Sequence, residues 1–401
     1  MKSSKVSREN PETYDRSDLV EKYLDATIKK NKGGESNFNP WFLMQELTLA
    51  IDLAKKMSLL INENSSRGIC VLCDSGIPLG VLTAQALKVP IHFYRRNPWP
   101  IDDLRGPRFI FPEPSFGSEL LLVDSHISTG FTINSCSTIL NEKGVKVNEV
   151  VSPISFTSLE DSNITKYESN IRETVLSDVT KHISTLLRLF GVSTLEEIEK
   201  IVKDRYEEPP PSGKKEITGY IPRKSSRFIY LLNAMKPGGK KPQIRFISNP
   251  ISQQLITEFG SQESNVWSFF AKPDLVETVC KFVGNLLNLH EYHIIVGTEA
   301  LGTFLALCLA WHNKFTGKLL STYNLSGWND IESESDQNVL ICSARLRTGV
   351  FIKGATELLS RKNLKPKKIL ILRLAHEGVA FPRRLMLNEL GYVDCEIVVL
   401  S

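Results

Sequence analysis

Blocks of apolar residues recur along this chain, alternately at strand-like and helix-like spacing. Residues 1 to about 37 are polar and include Lys-Lys-Asn-Lys-Gly-Gly-Glu-Ser-Asn, with one short helix expected around Ser17 to Lys29. Asn39-Pro40 then opens a helix over Trp41 to Ile61, with Leu43, Leu47, Ala50, Ile51, Ala54 and Met57 on one face. Ile69 to Leu72 forms a wholly apolar run, read as a buried strand, and the tight turn Cys73-Asp74-Ser75-Gly76 follows it. A helix over Pro78 to Leu87 carries small residues for packing on a sheet, and a strand over Ile91 to Tyr94 comes next. Asn97 to Ser118 is rich in Pro and Gly and reads as a long connection. Leu120 to Val123 is a second buried strand, with Asp124 at its carboxyl end. A turn over Ser128 to Thr132, a helix to Glu142 and a strand over Val147 to Ile154 complete the series. This βαβ-loop-βαβ order requires a doubly wound parallel sheet, with its loops gathered at the strand carboxyl ends.

From about residue 243 the series recurs. A helix over Asp274 to Asn288 precedes the strand-turn His293-Ile-Ile-Val-Gly-Thr-Glu-Ala-Leu-Gly302. A helix over Thr303 to Trp311, a strand over Leu319 to Tyr323, and Asn338-Val-Leu-Ile-Cys-Ser-Ala-Arg-Leu-Arg-Thr-Gly349 follow. A helix over Ile352 to Arg361, a strand over Lys368 to Leu374, and a last helix and strand between Phe381 and Leu400 close the chain. Gly302 falls where Gly76 fell and Gly349 where Gly130 fell, a self-similarity that points to duplication. Between the halves, Ile171 to Phe190 and Thr194 to Tyr206 read as helices, with breakers at Glu207 to Lys215 and Lys236 to Pro242. The expected fold is α/β, two Rossmann-like parallel-sheet domains in tandem joined by a helical region. The expected divisions are a polar segment 1–37, a first domain 38–156, a helical hood or linker 157–242 and a second, worn domain 243–401.

The stretch Leu-Leu-Leu-Val-Asp-Ser-His-Ile-Ser-Thr-Gly-Phe-Thr, residues 120–132, carries the chemistry. An acid at a strand tip precedes a hydroxyl- and glycine-containing turn at a helix N-terminus. There free backbone N–H groups and the helix dipole suit a phosphate. This stretch resembles the phosphoribosyl-pyrophosphate (PRPP) motif of the type I phosphoribosyltransferases, and of their orotate-type members in particular. The resemblance implies that Asp124 faces the ribose hydroxyls and their magnesium ion, and that Ser128, Thr129, Gly130, Phe131 and Thr132 hold the 5′-phosphate. Ser125 stands where a second acid is expected. Ser75 and Gly76 match the loop that cradles pyrophosphate, and Arg95 and Arg96 match its basic grip. The connection 97–118, with Asp102, Asp103, Arg105 and Arg108, falls where that family has a lid. Purine-type relatives place an Asp at the position of Ser128, so no such base is expected here.

In the second half Cys342 and Ser343 stand for the acid pair, Tyr323-Asn324 for the basic pair, and Thr348-Gly349 for the phosphate turn. Gly297 to Gly302 resembles the pyrophosphate loop more closely than the first copy does.

Composition narrows the field. The chain has 401 residues, enough for two domains, with 41% hydrophobic and 23% charged residues, a globular balance. A net charge of +4 does not indicate nucleic acid. No apolar run is long enough to span a bilayer, and the opening residues lack a signal-peptide core. Seven cysteines without framework spacing fit a reducing cytosol, so a cytoplasmic location is expected. Cys70 and Cys73 read as core cysteines. His290 and His293 lack further ligands, and no metal held by the protein itself is expected, Mg2+ arriving with PRPP. His126 reads as a packed or solvated side chain, and Arg345 and Arg347 as a solvated pair.

Three readings stand on the sequence. The first is a transferase moving 5-phosphoribosyl from PRPP to a nitrogenous base, its second copy replacing a partner subunit. The second is a non-catalytic PRPP or nucleotide sensor, or the effector subunit of a multi-protein system such as defence. The third is a PRPP synthetase-like kinase. Protein partners and a homo-oligomer are left open.

Overall fold

The computed structural model describes residues 16–30, 36–61, 68–72, 75–96, 108–128, 130–156, 171–198, 200, 243–247, 250–259, 265–323, 325, 328, 331, 337–346, 350–374 and 396–400. Cys73, Asp74, Asp102, Asp103, Arg105, Thr129, Asn324, Arg347, Thr348, Gly349 and both breaker segments lie outside the described residues.

The first unit opens with α1 (Arg16–Thr27) and the antiparallel ribbon β1 (Ile28–Lys30) and β2 (Ser36–Phe38). A 3-10 turn, Pro40–Gln45, leads into α2 (Leu47–Leu60). The Asn39 side chain caps that 3-10 turn by accepting the Trp41 amide at 3.0 Å, but the α-helix expected from Trp41 begins only at Leu47, with Glu46 before it. Then come β3 (Ile69–Leu72), α3 (Ile77–Leu87), β4 (Ile91–Arg96), β5 (Arg108–Phe111) and β6 (Glu119–Val123). The unit continues with α4 (Phe131–Glu142), β7 (Lys146–Ser155), β8 (Arg172–Asp178) and α5 (Ile183–Phe190).

The second unit contains β9 (Gln243–Phe246), α6 (Pro250–Phe259), α7 (Asn265–Phe270), α8 (Pro273–Leu287), β10 (Ile294–Gly297) and α9 (Glu299–His312). It ends with β11 (Lys318–Ser321), β12 (Val339–Leu346), α10 (Val350–Ser360), β13 (Pro366–Leu374) and β14 (Glu396–Val399).

The fold is α/β with two parallel sheets in tandem. The first sheet runs β5-β4-β3-β6-β7-β8, antiparallel only between β4 and β5; the second runs β11-β10-β12-β13-β14-β9 and is parallel throughout. Its first five strands stand in the same spatial and sequential order as β4-β3-β6-β7-β8.

Two further expectations are corrected. The helix expected from Ile171 is strand β8 as far as Asp178, where Thr174 and Leu176 are buried and the register with β7 fixes the alternation. The first sheet therefore runs past residue 156, and the connecting region is not wholly helical. The 97–118 connection contains β5, paired to β4 from Phe93↔Phe111 to Arg96↔Arg108. The helix expected around Ser17 to Lys29 is present as α1, and it buries Leu19, Val20, Tyr23 and Leu24 in the main core.

The core explains the tandem arrangement. Each sheet has one face covered by the helix after its third central strand: α4 over Cys70, Leu72, Leu120 and Leu122, and α10 over Ile294, Val296, Ile341 and Ile369. The other faces of both sheets look into a single shared cluster, in which α3 and α9 lie between them. Every residue of α3 from Ile77 to Gln85 is buried, and so is every residue of α9 from Leu301 to Ala310. A helix apolar all round needs cover on every side. Gly80 lets α3 approach its own sheet, since a Cβ there would stand 2.6 Å from Val71 Cγ2.

A reciprocal pair of tryptophans ties the units further. Trp41 and Trp267 each stand six residues before a long helix, at 41 against 47 and 267 against 273. Trp41 meets Tyr323 of the second unit at 6.0 Å, and Trp267 stacks on Phe93 of the first at 5.7 Å. At the far end of the helix pair, His312 Nε2 lies 2.7 Å from Gln85 Oε1.

Phe304 of α9 is fully buried and touches Phe93, Trp267 and Phe270. Phe304→Ala is expected to lower the free energy of unfolding by about 3–5 kcal/mol. Because one core serves both units, denaturant melts followed by fluorescence and by circular dichroism should still coincide in one transition. Two separated transitions in the unsubstituted chain would contradict a shared core.

Candidate functional site

The site is built where β3 and β6 end. Ser75 and Gly76 make the turn from β3 into α3. A Cβ on Gly76 would stand 2.6 Å from the Leu72 carbonyl oxygen and 3.0 Å from that of Val123. The glycine therefore lets the head of α3 settle onto two backbone carbonyls. The expected reason for it, room for an anion, is not what the geometry shows.

Asp124 follows β6 directly and is only 8% exposed. Its Oδ1 accepts the Ser125 amide at 2.7 Å, the Ser75 hydroxyl at 3.3 Å and the Ser125 hydroxyl at 3.4 Å. Among the described residues no donor reaches Oδ2. Burial outweighs these hydrogen bonds and pushes the carboxyl up to about 7. Thus Ser75, Gly76, Asp124 and Ser125, drawn from two distant stretches of sequence, do meet.

Ser125 is fully buried, and its Oγ lies 3.0 Å from His126 Nδ1. Its side chain supports Asp124 from beneath and does not face solvent. His126 is packed between Phe38, at 4.6 Å, and Phe156, at 6.3 Å, and burial lowers its pKa to about 4, so it is neutral at pH 7.

Beyond Ile127, which bridges to Ser155 of β7, Ser128 and Gly130 lead into α4. Gly130 is the N-cap in the left-handed region, φ 72°, where a residue without Cβ is favoured. No side chain caps the helix there. Phe131 and Thr132, in its first turn, are half-buried.

Arg95 stands one residue past Tyr94, which pairs with Leu72 beside the tip of β6. Two strand spacings put it about 10 Å from Asp124 across the sheet. Strand alternation places it on the side of Phe93, toward the second unit. The Arg96 side chain lies outside the described residues.

The equivalent place in the second unit differs. A Cβ on Gly302 would stand 2.6 Å from the Cys342 carbonyl oxygen, as one on Gly76 would stand 3.0 Å from that of Val123, and both Val123 and Cys342 face the shared core. Cys342 therefore matches Val123, while Ser343 matches Asp124 and Ala344 matches Ser125. This corrects the pairing of Cys342 and Ser343 with the two acids. The turn before α9 is also satisfied internally: the Thr298 amide donates to the Cys342 carbonyl at 2.9 Å and the Glu299 amide to Thr322 Oγ1 at 3.0 Å.

Sequence reading missed Tyr23, whose hydroxyl donates to the Ser125 carbonyl at 2.5 Å. The spacing of Leu19, Val20, Tyr23, Leu24 and Thr27 is a helical core stripe that could have revealed it.

Among the described residues no group of three or more His, Cys, Asp or Glu side chains could hold a metal ion. Asp124 alone offers one carboxylate oxygen, so the residues present fit Mg2+ only as a passenger on a diphosphate. Burial raises the thiols of Cys280, Cys308 and Cys342, which suits inert core cysteines. No helix among the described residues is long and apolar enough to cross a membrane.

No family model and no curated protein matches the chain. Solved structures do match. UMP synthase of Leishmania donovani is 14% identical over 48% of this chain, with TM-score 0.33, and the match spans 42% of that protein's length. Orotate phosphoribosyltransferase from Aeropyrum pernix is 15% identical over 44% of this chain and 99% of its own, with TM-score 0.31. Adenine phosphoribosyltransferase from Trypanosoma brucei, in complex with AMP, pyrophosphate and ribose-5-phosphate, is 14% identical over 55% and 94%, with TM-score 0.32.

Asp124 makes stability depend on pH. Its folded value, about 7, lies above the unfolded 3.8, so the folded chain holds the proton longer and loses stability as pH rises through that window. At about 1.4 kcal/mol per unit the loss is on the order of 4 kcal/mol by pH 8. Asp124→Asn is therefore expected to raise the melting temperature of the ligand-free protein, more at pH 8 than at pH 5. An equal shift at both values would contradict the assigned burial.

Proposed function

We propose that the first unit binds a phosphorylated pentose, PRPP or a nucleotide-like relative, at the tips of β3 and β6, as the type I phosphoribosyltransferases do. The observation that carries the reading is the meeting of Asp124 with Ser75 on the stretch that leads to the Gly130 N-cap of α4. In this reading Oδ2 of Asp124 accepts the ribose hydroxyls. The turn Ser128 to Thr132, Thr129 included, receives the 5′-phosphate on backbone N–H groups at the positive end of α4. The basic grip on the diphosphate falls to Arg96, since Arg95 lies on the sheet face turned toward the second unit. Mg2+, when it arrives on that diphosphate, neutralises charge on the leaving group. The chain itself orients the sugar and excludes water. The same strand order in both sheets supports a duplication, in which the second unit, without an acid at Ser343, serves as the structural partner of the first.

Transfer of the phosphoribosyl group to a nitrogenous base is the activity this site would perform. One observation favours binding without turnover, the sensor reading: Ser125, where a second acid is expected, is sealed inside the protein. A PRPP synthetase-like activity has no further support in the site.

Titration calorimetry of the full chain with PRPP and Mg2+ is expected to show saturable binding that Asp124→Asn weakens at least about tenfold, with the circular dichroism spectrum unchanged. Unchanged affinity in that variant would remove Asp124 from the site. Pyrophosphate release on adding nucleobases would decide for transfer, and binding with no release for a sensor.

A further inference from the structure

The backbone between β6 and α4 is held from two sides. On the sheet side, the Asp124 amide donates to the Val151 carbonyl at 3.1 Å and the Ile127 amide to the Ile154 carbonyl at 3.0 Å. Between these two points, Ser125 is held from the opposite end of the sequence. The Tyr23 hydroxyl donates to its carbonyl at 2.5 Å across 102 residues. Tyr23 is itself fully buried, its ring lies 6.1 Å from that of Phe38, and Phe38 meets His126 at 4.6 Å. The Asn39 amide in turn donates to the Thr27 carbonyl at 2.7 Å, which closes the N-terminal ribbon against α1. Tyr23 grips the carbonyl of the same residue whose N–H and Oγ bond Asp124 Oδ1 and whose Oγ approaches His126 Nδ1, and the peptide that this carbonyl begins leads through His126 and Ile127 to Ser128. A buried hydroxyl aimed at one carbonyl fixes that peptide plane more tightly than ring packing alone, because a hydrogen bond is directional and packing is not.

We propose that Tyr23 is a positioning residue of the site, which makes α1 part of the binding machinery: its hydroxyl, through the Ser125 carbonyl, holds the residue whose N–H and Oγ bond Asp124 and sets the path of the chain toward Ser128. The consequence for ligand rests on the proposed phosphopentose reading; the effect on the peptide does not. Tyr23→Phe keeps the ring and removes the hydroxyl, and Leu19→Ala loosens the same helix without touching that bond. In the ligand-free full chain, Tyr23→Phe is expected to speed hydrogen exchange of residues 125–128 about tenfold and to shift the imidazole 15N resonances of His126. Leu19→Ala should lower the melting temperature and do neither. PRPP affinity with Mg2+ should fall about tenfold in Tyr23→Phe. Exchange and His126 resonances that stay unchanged in Tyr23→Phe, or that change equally in Leu19→Ala, would overturn the role. If the unsubstituted chain fails to bind PRPP, the functional reading falls while the two ligand-free measurements still decide the part played by Tyr23.

Discussion

The contact between α3 and α9 is the constraint on which the rest of this molecule depends. Each is the helix that leaves the first central strand of its sheet, and each is apolar on all sides. A single sheet can cover only one side of such a helix; the other would stand in water at about 25 cal/mol per Å2 of apolar surface. The second unit provides that missing cover. Trp41 and Trp267 then extend the contact outward to the edge strands, each unit lending an aromatic ring to the other. The two sheets are in this sense halves of one folded object, since neither inner face has a core without the other.

That packing also sets the site. The head of α3 is pressed onto the carbonyls of Leu72 and Val123, which leaves no space for a side chain at Gly76 and holds Ser75 at the tip of β6. The same press operates in the second unit, where Gly302 meets the Cys342 carbonyl. The architecture is thus common to both units while the chemistry is not. The first keeps a carboxylate at the next position, at a cost in stability; the second has a serine there and carries no such burden.

Much of this was legible in the sequence, for stated reasons. Strands β3, β6, β10 and β12 are short apolar runs bounded by turn residues, and the order of strands and helices allows little besides a doubly wound sheet. What failed to show was whatever depends on a partner distant in sequence. Residues 171–178 mix polar and apolar side chains so that only pairing with β7 decides for a strand. The stripe on α1 is short and interrupted by charge, and its value lies in contacts with residues more than 100 positions away. The match of Ser343 to Asp124 needed the knowledge of which face of β12 meets the shared core. The close approach of Gly76 to the Leu72 and Val123 carbonyls was not visible either, because a glycine that admits a ligand and one that admits a backbone carbonyl look alike in sequence.

The serine at 125 follows from the same geometry. Once α1 and β2 close over the end of β6, the position after Asp124 lies beneath Tyr23 and Phe38 with no exposure at all. A carboxylate placed there would be buried beside another buried carboxylate that already holds its proton to about pH 7. Two such charges would each raise the other further, and without a cation beside them the pair would cost several kcal/mol. A hydroxyl at this position can donate to Asp124 Oδ1 or to His126 Nδ1, and it carries no charge. The departure from a paired-acid motif is therefore a physical consequence of the N-terminal cover. It confines the chemistry of the site to what one carboxylate, Asp124, can do with its remaining oxygen.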